Sequence, residues 1–135
     1  MKILIIDGMG GGIGRAVIEH IRKEIADAEI TAVGTNSIAT SAMLKAGASY
    51  GATGENAVVY NCARCGASDY IIGVIGIVFA NSMHGEISPK MAEAVSLSAA
   101  HKILIPIDKC NATVVGASEK SIQACIGEVV KKLIV

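Results

Sequence analysis

Seven residues near the amino end, Gly8-Met9-Gly10-Gly11-Gly12-Ile13-Gly14, follow an apolar run that closes on Asp7 and lead into a helical pattern. Glycine at such a place permits a tight turn, removes side chains where a diphosphate must approach, and exposes amides at the positive end of a helix. The chemistry these residues compose is capture of a phosphate, with the amides of Gly10 to Gly14 as donors. Asp7 sets a condition on it, because a carboxylate beside a phosphate is repulsive unless a cation or hydrogen bonds intervene. Asp7 is therefore expected to recruit Mg²⁺ or to bond the backbone of the 51–56 loop. Thr35, Asn36, Ser37 and Thr40 are neutral hydroxyl and amide side chains of the kind that hold a ribose or a phosphate ester. A purely structural alternative stands beside this one, in which the glycines only allow close packing of strand on helix.

For acid–base chemistry the candidates are Asp7, Glu55, His84 and Glu86. His84 lies in Asn81-Ser-Met-His-Gly-Glu86, a loop that follows a glycine-interrupted apolar run and places a carboxylate two residues away. Asp7 and Asp108 are the residues that could meet a metal ion, and Asp108-Lys109 could equally be an exposed turn pair. Cys62-Ala-Arg-Cys65 has C-x-x-C spacing but falls at a helix end, whereas redox pairs use a helix start, where the dipole lowers the thiol pKa. A zinc site built with Cys110 lacks a second such pair or a histidine pair. His20 and His101 fall at a stripe margin and at the amino edge of a strand, and Cys125 falls in the core.

The elements that must position these residues alternate. Lys2 to Ile6 is a continuous β-branched and leucine run, as in a strand buried on both faces. Ile13, Val17, Ile21 and Ile25 recur every four residues and define an amphipathic helix over about 13–26. Residues 29–34 form the second strand, and Thr35-Asn36-Ser37 supplies caps for a helix that Gly47 ends. A brief edge strand over 48–51, a helix over about 55–64 capped by Thr53, and a buried strand over 70–74 come next. A short helix through Ile77, Phe79, Ala80 and Met83 is expected, then one started by Ser88-Pro89 and running to about Ala99. Strands over 102–106 and 112–116 precede a last helix capped by Ser118, with Ile122, Cys125, Ile126, Val129, Val130 and Leu133 as its apolar stripe. The 107–111 connection is too short for a crossover helix, so the last strand is expected to pair antiparallel. The result is a three-layer α/β sandwich with a Rossmann-like, doubly wound, mostly parallel sheet. Small polar residues collect after the strands, at 7–14, 34–41, 51–56, 73–76 and 108–111, which marks one edge of the sheet as the functional edge.

At 135 residues the chain reads as a single domain over 1–135, with no repeat or linker. Apolar residues are 52% and charged residues 18%, against about 45–50% and about 25% in ordinary soluble domains. The excess calls for cover, and a homodimer or higher homo-oligomer supplies it. Twelve basic and twelve acidic side chains cancel, which disfavours nucleic acid and anionic membranes as partners. With one phenylalanine and three tyrosines there is no stacking platform for single strands. The apolar start is too short for a secretory segment, and no stretch reaches the roughly eighteen residues of a spanning helix. A cytoplasmic location with unpaired thiols is expected.

Gly8, Gly12, Ile13 and Gly14 match G-x-x-x-G-I-G, which resembles the cofactor loop of short-chain dehydrogenases. The chain lacks the Tyr-x-x-x-Lys pair of those enzymes, and no acidic residue ends the second strand. Taken whole, it resembles an uncharacterised family of short bacterial proteins classed as a domain of unknown function. The stretches that carry this are 6–14, 33–48, 51–57 and 102–106. That resemblance implies one Rossmann-like domain and no established activity. Three functions are open: binding of a nucleotide (NAD(P) or a mononucleotide) or other phosphorylated ligand at Gly8–Gly14, a small transferase or hydrolase acting on a phosphorylated metabolite, and a regulatory or assembly subunit.

Overall fold

The structure is a computed structural model that describes residues 1–107 and 110–134. In chain order its elements are β1 (Lys2–Asp7), α1 (Gly12–Glu24), β2 (Glu29–Gly34), α2 (Ser37–Lys45), β3 (Tyr50–Thr53), α3 (Glu55–Arg64), β4 (Tyr70–Val74), α4 (Pro89–Leu97), β5 (His101–Ile105) and α5 (Ile122–Ile134). A single 3-10 turn, Ile75–Val78, follows β4.

β1 shows no hydrophobic alternation because both of its faces are covered. Ile3 and Ile5 pack into one cluster with Val17, Ile18 and Ile21 of α1 and Ile126, Val129 and Val130 of α5. Leu4 and Ile6 pack into the other with Val58 of α3 and Met91 and Val95 of α4. Helices therefore lie on both faces, with α1 between α2 and α5, and α3 against α4. Burying each of these aliphatic side chains stabilises the fold by about 1.5–3 kcal/mol before the entropy of ordering is subtracted.

The sheet runs β3-β2-β1-β4-β5, and every pair is parallel. The chain leaves β1 towards β3 on one side and returns through β4 to β5 on the other, so the winding reverses between β1 and β4. The expected antiparallel last strand over 112–116 does not form. That segment is irregular, Val115 is almost fully exposed, and Gly116 turns the chain at φ 86°. Two valines gave it β character, but no neighbouring strand pairs with it among the described residues.

Local starts and stops show the same mixture. Ser88 caps α4, its hydroxyl accepting from the Met91 amide at 3.2 Å with Pro89 at the first helical position. Asn36 caps α2, accepting from the Ala39 amide at 2.9 Å. Thr53 does not cap α3, since its hydroxyl lies 2.7 Å from that of Thr40. α5 starts at Ile122 rather than near Ser118, with the Ser121 hydroxyl accepting from the Ala124 amide at 3.1 Å. The helix expected through Phe79 and Met83 is limited to the 3-10 turn, and turns then lead to Ser88.

Candidate functional site

The site begins where β1 ends. After Asp7 the chain folds back on itself, the Gly11 amide donating to the Gly8 carbonyl at 2.9 Å, and α1 starts at Gly12. The glycines here serve two purposes. Gly11 has φ 74°, and a Cβ on it would stand 2.8 Å from the backbone of Ala39, so it lets α1 meet α2 closely. A Cβ on Gly8 would stand 2.7 Å from the Thr35 hydroxyl and 2.8 Å from Glu86 Oε1, and one on Gly14 would crowd Met43 and Asp7. These three positions are spent on packing. At Gly10 and Gly12 a Cβ would have nothing within 4 Å, and neither residue has a left-handed backbone. Among the described residues, no protein acceptor takes the amides of these two glycines.

Gly10 and Gly12 line a cleft of about 620 Å³ together with Asp7, Gly76, Ser82 and His84. The cleft opens between the carboxyl ends of β1 and β4, where the winding reverses, which is the place where open α/β sheets hold ligands. Ile13 also lines it, while apolar walls come from Val74, Met83, Ile107 and Ile122. Of the wall residues, Gly76 belongs to a cluster of small residues visible in the sequence, and Ser82 and Met83 to the loop that holds His84. Ile107 and Ile122 carry no signal in the sequence, since they look like any other core-facing isoleucine.

Asp7 is buried beside the cleft floor. Its Oδ1 accepts from the Gly8 amide at 2.8 Å and its Oδ2 from the Gly14 amide at 2.7 Å, instead of reaching the 51–56 loop. The carboxylate thus satisfies part of the first turn of α1 from within the protein. Burial pushes its pKa up, the amides of Gly14 and Gly8 pull against that, and the charge of Glu86 adds to the rise.

Glu86, expected among the acid–base candidates, is not in the cleft lining and bridges three segments. Its Oε1 accepts from the Met9 amide at 2.8 Å, from the Thr35 hydroxyl, and from Asn36 Nδ2 at 3.1 Å. These donors, the Met9 amide first, hold its pKa below the ordinary glutamate range. Asn36 is fully engaged, since Nδ2 also donates to the Met9 carbonyl at 2.9 Å while Oδ1 caps α2. Thr40 is buried, accepting from the Gly34 amide at 3.1 Å. Ser37 is exposed and lines a separate depression with Arg15 and Lys45. Glu55 accepts from the Ser88 hydroxyl at 2.5 Å, tying α3 to the start of α4. Of the four acid–base candidates, then, Asp7 and His84 line the cleft. After β2, the side chains of Thr35, Asn36 and Thr40 are occupied by contacts within the protein, and Ser37 faces away into its own depression.

Asp108 lies outside the described residues. Among those described, no three His, Cys, Asp or Glu side chains cluster as metal ligands would. Cys62 and Cys65 are buried, and burial pushes the Cys62 thiol up to about 12 and raises that of Cys65, so neither favours the thiolate that redox exchange needs. No helix is long and apolar enough to cross a membrane among the described residues.

An open parallel sheet covered by helices on both faces, with a cleft at its point of reversal, defines an α/β protein of the Rossmann-like kind. Within that class, the chain belongs to the family described as Domain of unknown function (DUF3842), which matches residues 2–135. Neither the curated proteins nor the solved structures yield a match to it.

Proposed function

We propose that the protein binds a small phosphorylated ligand of the nucleotide class, which spans NAD(P) and mononucleotides, in the cleft between the ends of β1 and β4. The observation that carries this reading is the pair Gly10 and Gly12. Neither a strained backbone nor a crowded neighbour requires glycine there, and among the described residues nothing accepts from either amide beside the open cleft at the start of α1. A phosphate set on those amides meets the positive end of the α1 dipole. The cleft volume falls within the roughly 300–1,000 Å³ of small-molecule sites, and its walls are mostly apolar with a few polar groups, as such sites require. The ionised Asp7 opposes an anion in this position, so its raised pKa favours binding accompanied by proton uptake.

The test is mass spectrometry of small molecules released from the purified protein, followed by a thermal-shift panel of nucleotides and phosphorylated metabolites on wild type and Gly12→Val. A Cβ at Gly12 meets nothing within 4 Å, and the valine adds bulk to the cleft wall beside the amides. The expected result is a nucleotide that raises the wild-type midpoint and leaves the folded variant unmoved. Equal binding by the variant would take the ligand off this loop. Silence across the whole panel would favour an assembly subunit that uses its glycines for packing alone.

A further inference from the structure

The chain between the 3-10 turn and α4 is a compact loop closed on itself. The Asn81 amide donates to the Ile87 carbonyl at 2.6 Å, the Ile87 amide to the Ser82 carbonyl at 3.2 Å, and the Glu86 amide to the Met83 carbonyl at 3.1 Å. Its base is fixed, with Ile87 and Ser82 buried and the Ser82 hydroxyl donating to the Gly76 carbonyl. Its tip is built from an uncommon backbone. Asn81, Met83 and His84 have φ of 65°, 55° and 56°, a region that a few per cent of non-glycine residues occupy. Such conformations persist where surrounding contacts over-determine them. At this tip the contact is Glu86, whose single oxygen collects donors from the segments after β1 and β2.

The loop starts on the β4 side, crosses above Gly8 and ends on Thr35 and Asn36 at the end of β2. Gly8 makes the crossing possible, since a Cβ there would stand 2.8 Å from both Glu86 Oε1 and Met83 Sδ. In sheets wound this way, a dinucleotide lays its diphosphate on the first glycine loop and its ribose against the end of the second strand. Here the groups at that end are already bonded to Glu86, whose carboxylate lies against Gly8.

Resting on the phosphate-cleft reading above, the geometry points to Glu86 as the residue that limits the ligand to one phosphorylated unit, so that the site takes a mononucleotide and excludes dinucleotides. The bridge closes the β2 side of the crevice, and its negative charge faces any second phosphate placed along Gly8 and Met9. The cleft on the β4 side stays open.

The experiment compares affinities for nucleoside monophosphates (AMP, GMP, CMP, UMP) and dinucleotides (NAD⁺, NADP⁺, FAD) on wild type and Glu86→Ala, with circular dichroism to establish that the variant is folded. Wild type is expected to bind a monophosphate and none of the dinucleotides. Glu86→Ala is expected to keep the monophosphate within about threefold and to gain dinucleotide affinity by about tenfold or more, as a like charge and a closed path are removed. Wild type binding a dinucleotide as tightly as a monophosphate overturns the inference while leaving the phosphate cleft in place. A folded Glu86→Ala that gains nothing does the same. If the variant does not fold, the wild-type comparison still decides. No binding of either class to either protein removes the phosphate-cleft reading itself, and this inference with it.

Discussion

Glu86 Oε1 joins partners that lie 77, 51 and 50 residues away in the chain, and that distance is why its role is hidden in the sequence. Read locally, a glutamate two residues from a histidine looks like acid–base machinery. In the fold it is a hydrogen-bond acceptor that bridges three segments. Asp7 is more legible, because a carboxylate at the end of a strand and the mouth of a glycine loop must be satisfied by something. What the sequence leaves open is the donor, and the fold supplies the amides of Gly8 and Gly14. Asp7→Ala leaves two buried amides without an acceptor and is expected to lower stability by about 1–3 kcal/mol, read as a shift of the urea midpoint with an unchanged slope. A variant as stable as wild type would mean that water or a relaxed backbone replaces the carboxylate.

At the level of elements, the glycine loop divides into positions that the fold requires and positions that it does not. Gly11→Ala forces a Cβ into a left-handed backbone and against Ala39, and is expected to cost about 2 kcal/mol or more. Gly12→Ala, one residue on, enters open space at the first position of α1 and is expected to be neutral or to stabilise by up to about 1 kcal/mol. Equilibrium unfolding of the two variants side by side checks the contrast, and equal losses would reduce the loop to packing throughout. Sequence patterning anticipates α1, α2 and α4 well because apolar spacing and the caps Asn36 and Ser88 act within one turn. It misplaces the cap at Ser118 because α5 starts later, at Ile122, and the cap at Thr53 because a hydroxyl is claimed by whichever partner the fold brings to it. For Thr53 that partner is Thr40, 13 residues back.

On the scale of the whole molecule, the buried runs at β1, β2 and β4 are enough to imply a doubly wound sheet, since strands without alternation need helices on both faces. The fifth strand and the irregular 112–116 segment could not be sorted in the same way, because pairing rather than β propensity decides between them. The same global view sets the pH dependence of stability. Asp7 has a folded pKa above its ordinary 3.8, so folding takes up a proton, and its contribution, complete at low pH, is lost as pH rises from 3.8 through the folded value. Glu86 and Asp69 run the other way. Asp69 accepts from the Gly66 amide at 2.8 Å and the Lys2 amide at 2.7 Å, and both carboxylates titrate below their ordinary 3.8 and 4.5. Their contributions are full above those values and are lost as pH falls through the folded ones. The charge of Glu86 opposes the ionisation of Asp7, and His84 assists the ionisation of Glu86. Urea midpoints measured from neutral pH downward are therefore expected to rise as Asp7 takes up its proton, and then to fall as Glu86 and Asp69 take up theirs. Asp7→Asn should remove the rise and keep the fall, while Glu86→Gln should make the fall shallower and weaken the rise, since the Glu86 charge contributes to it. A wild-type curve that only declines from neutrality would show that the two amides outweigh burial at Asp7, which takes from the proposed phosphate site the raised pKa that favours proton uptake on binding.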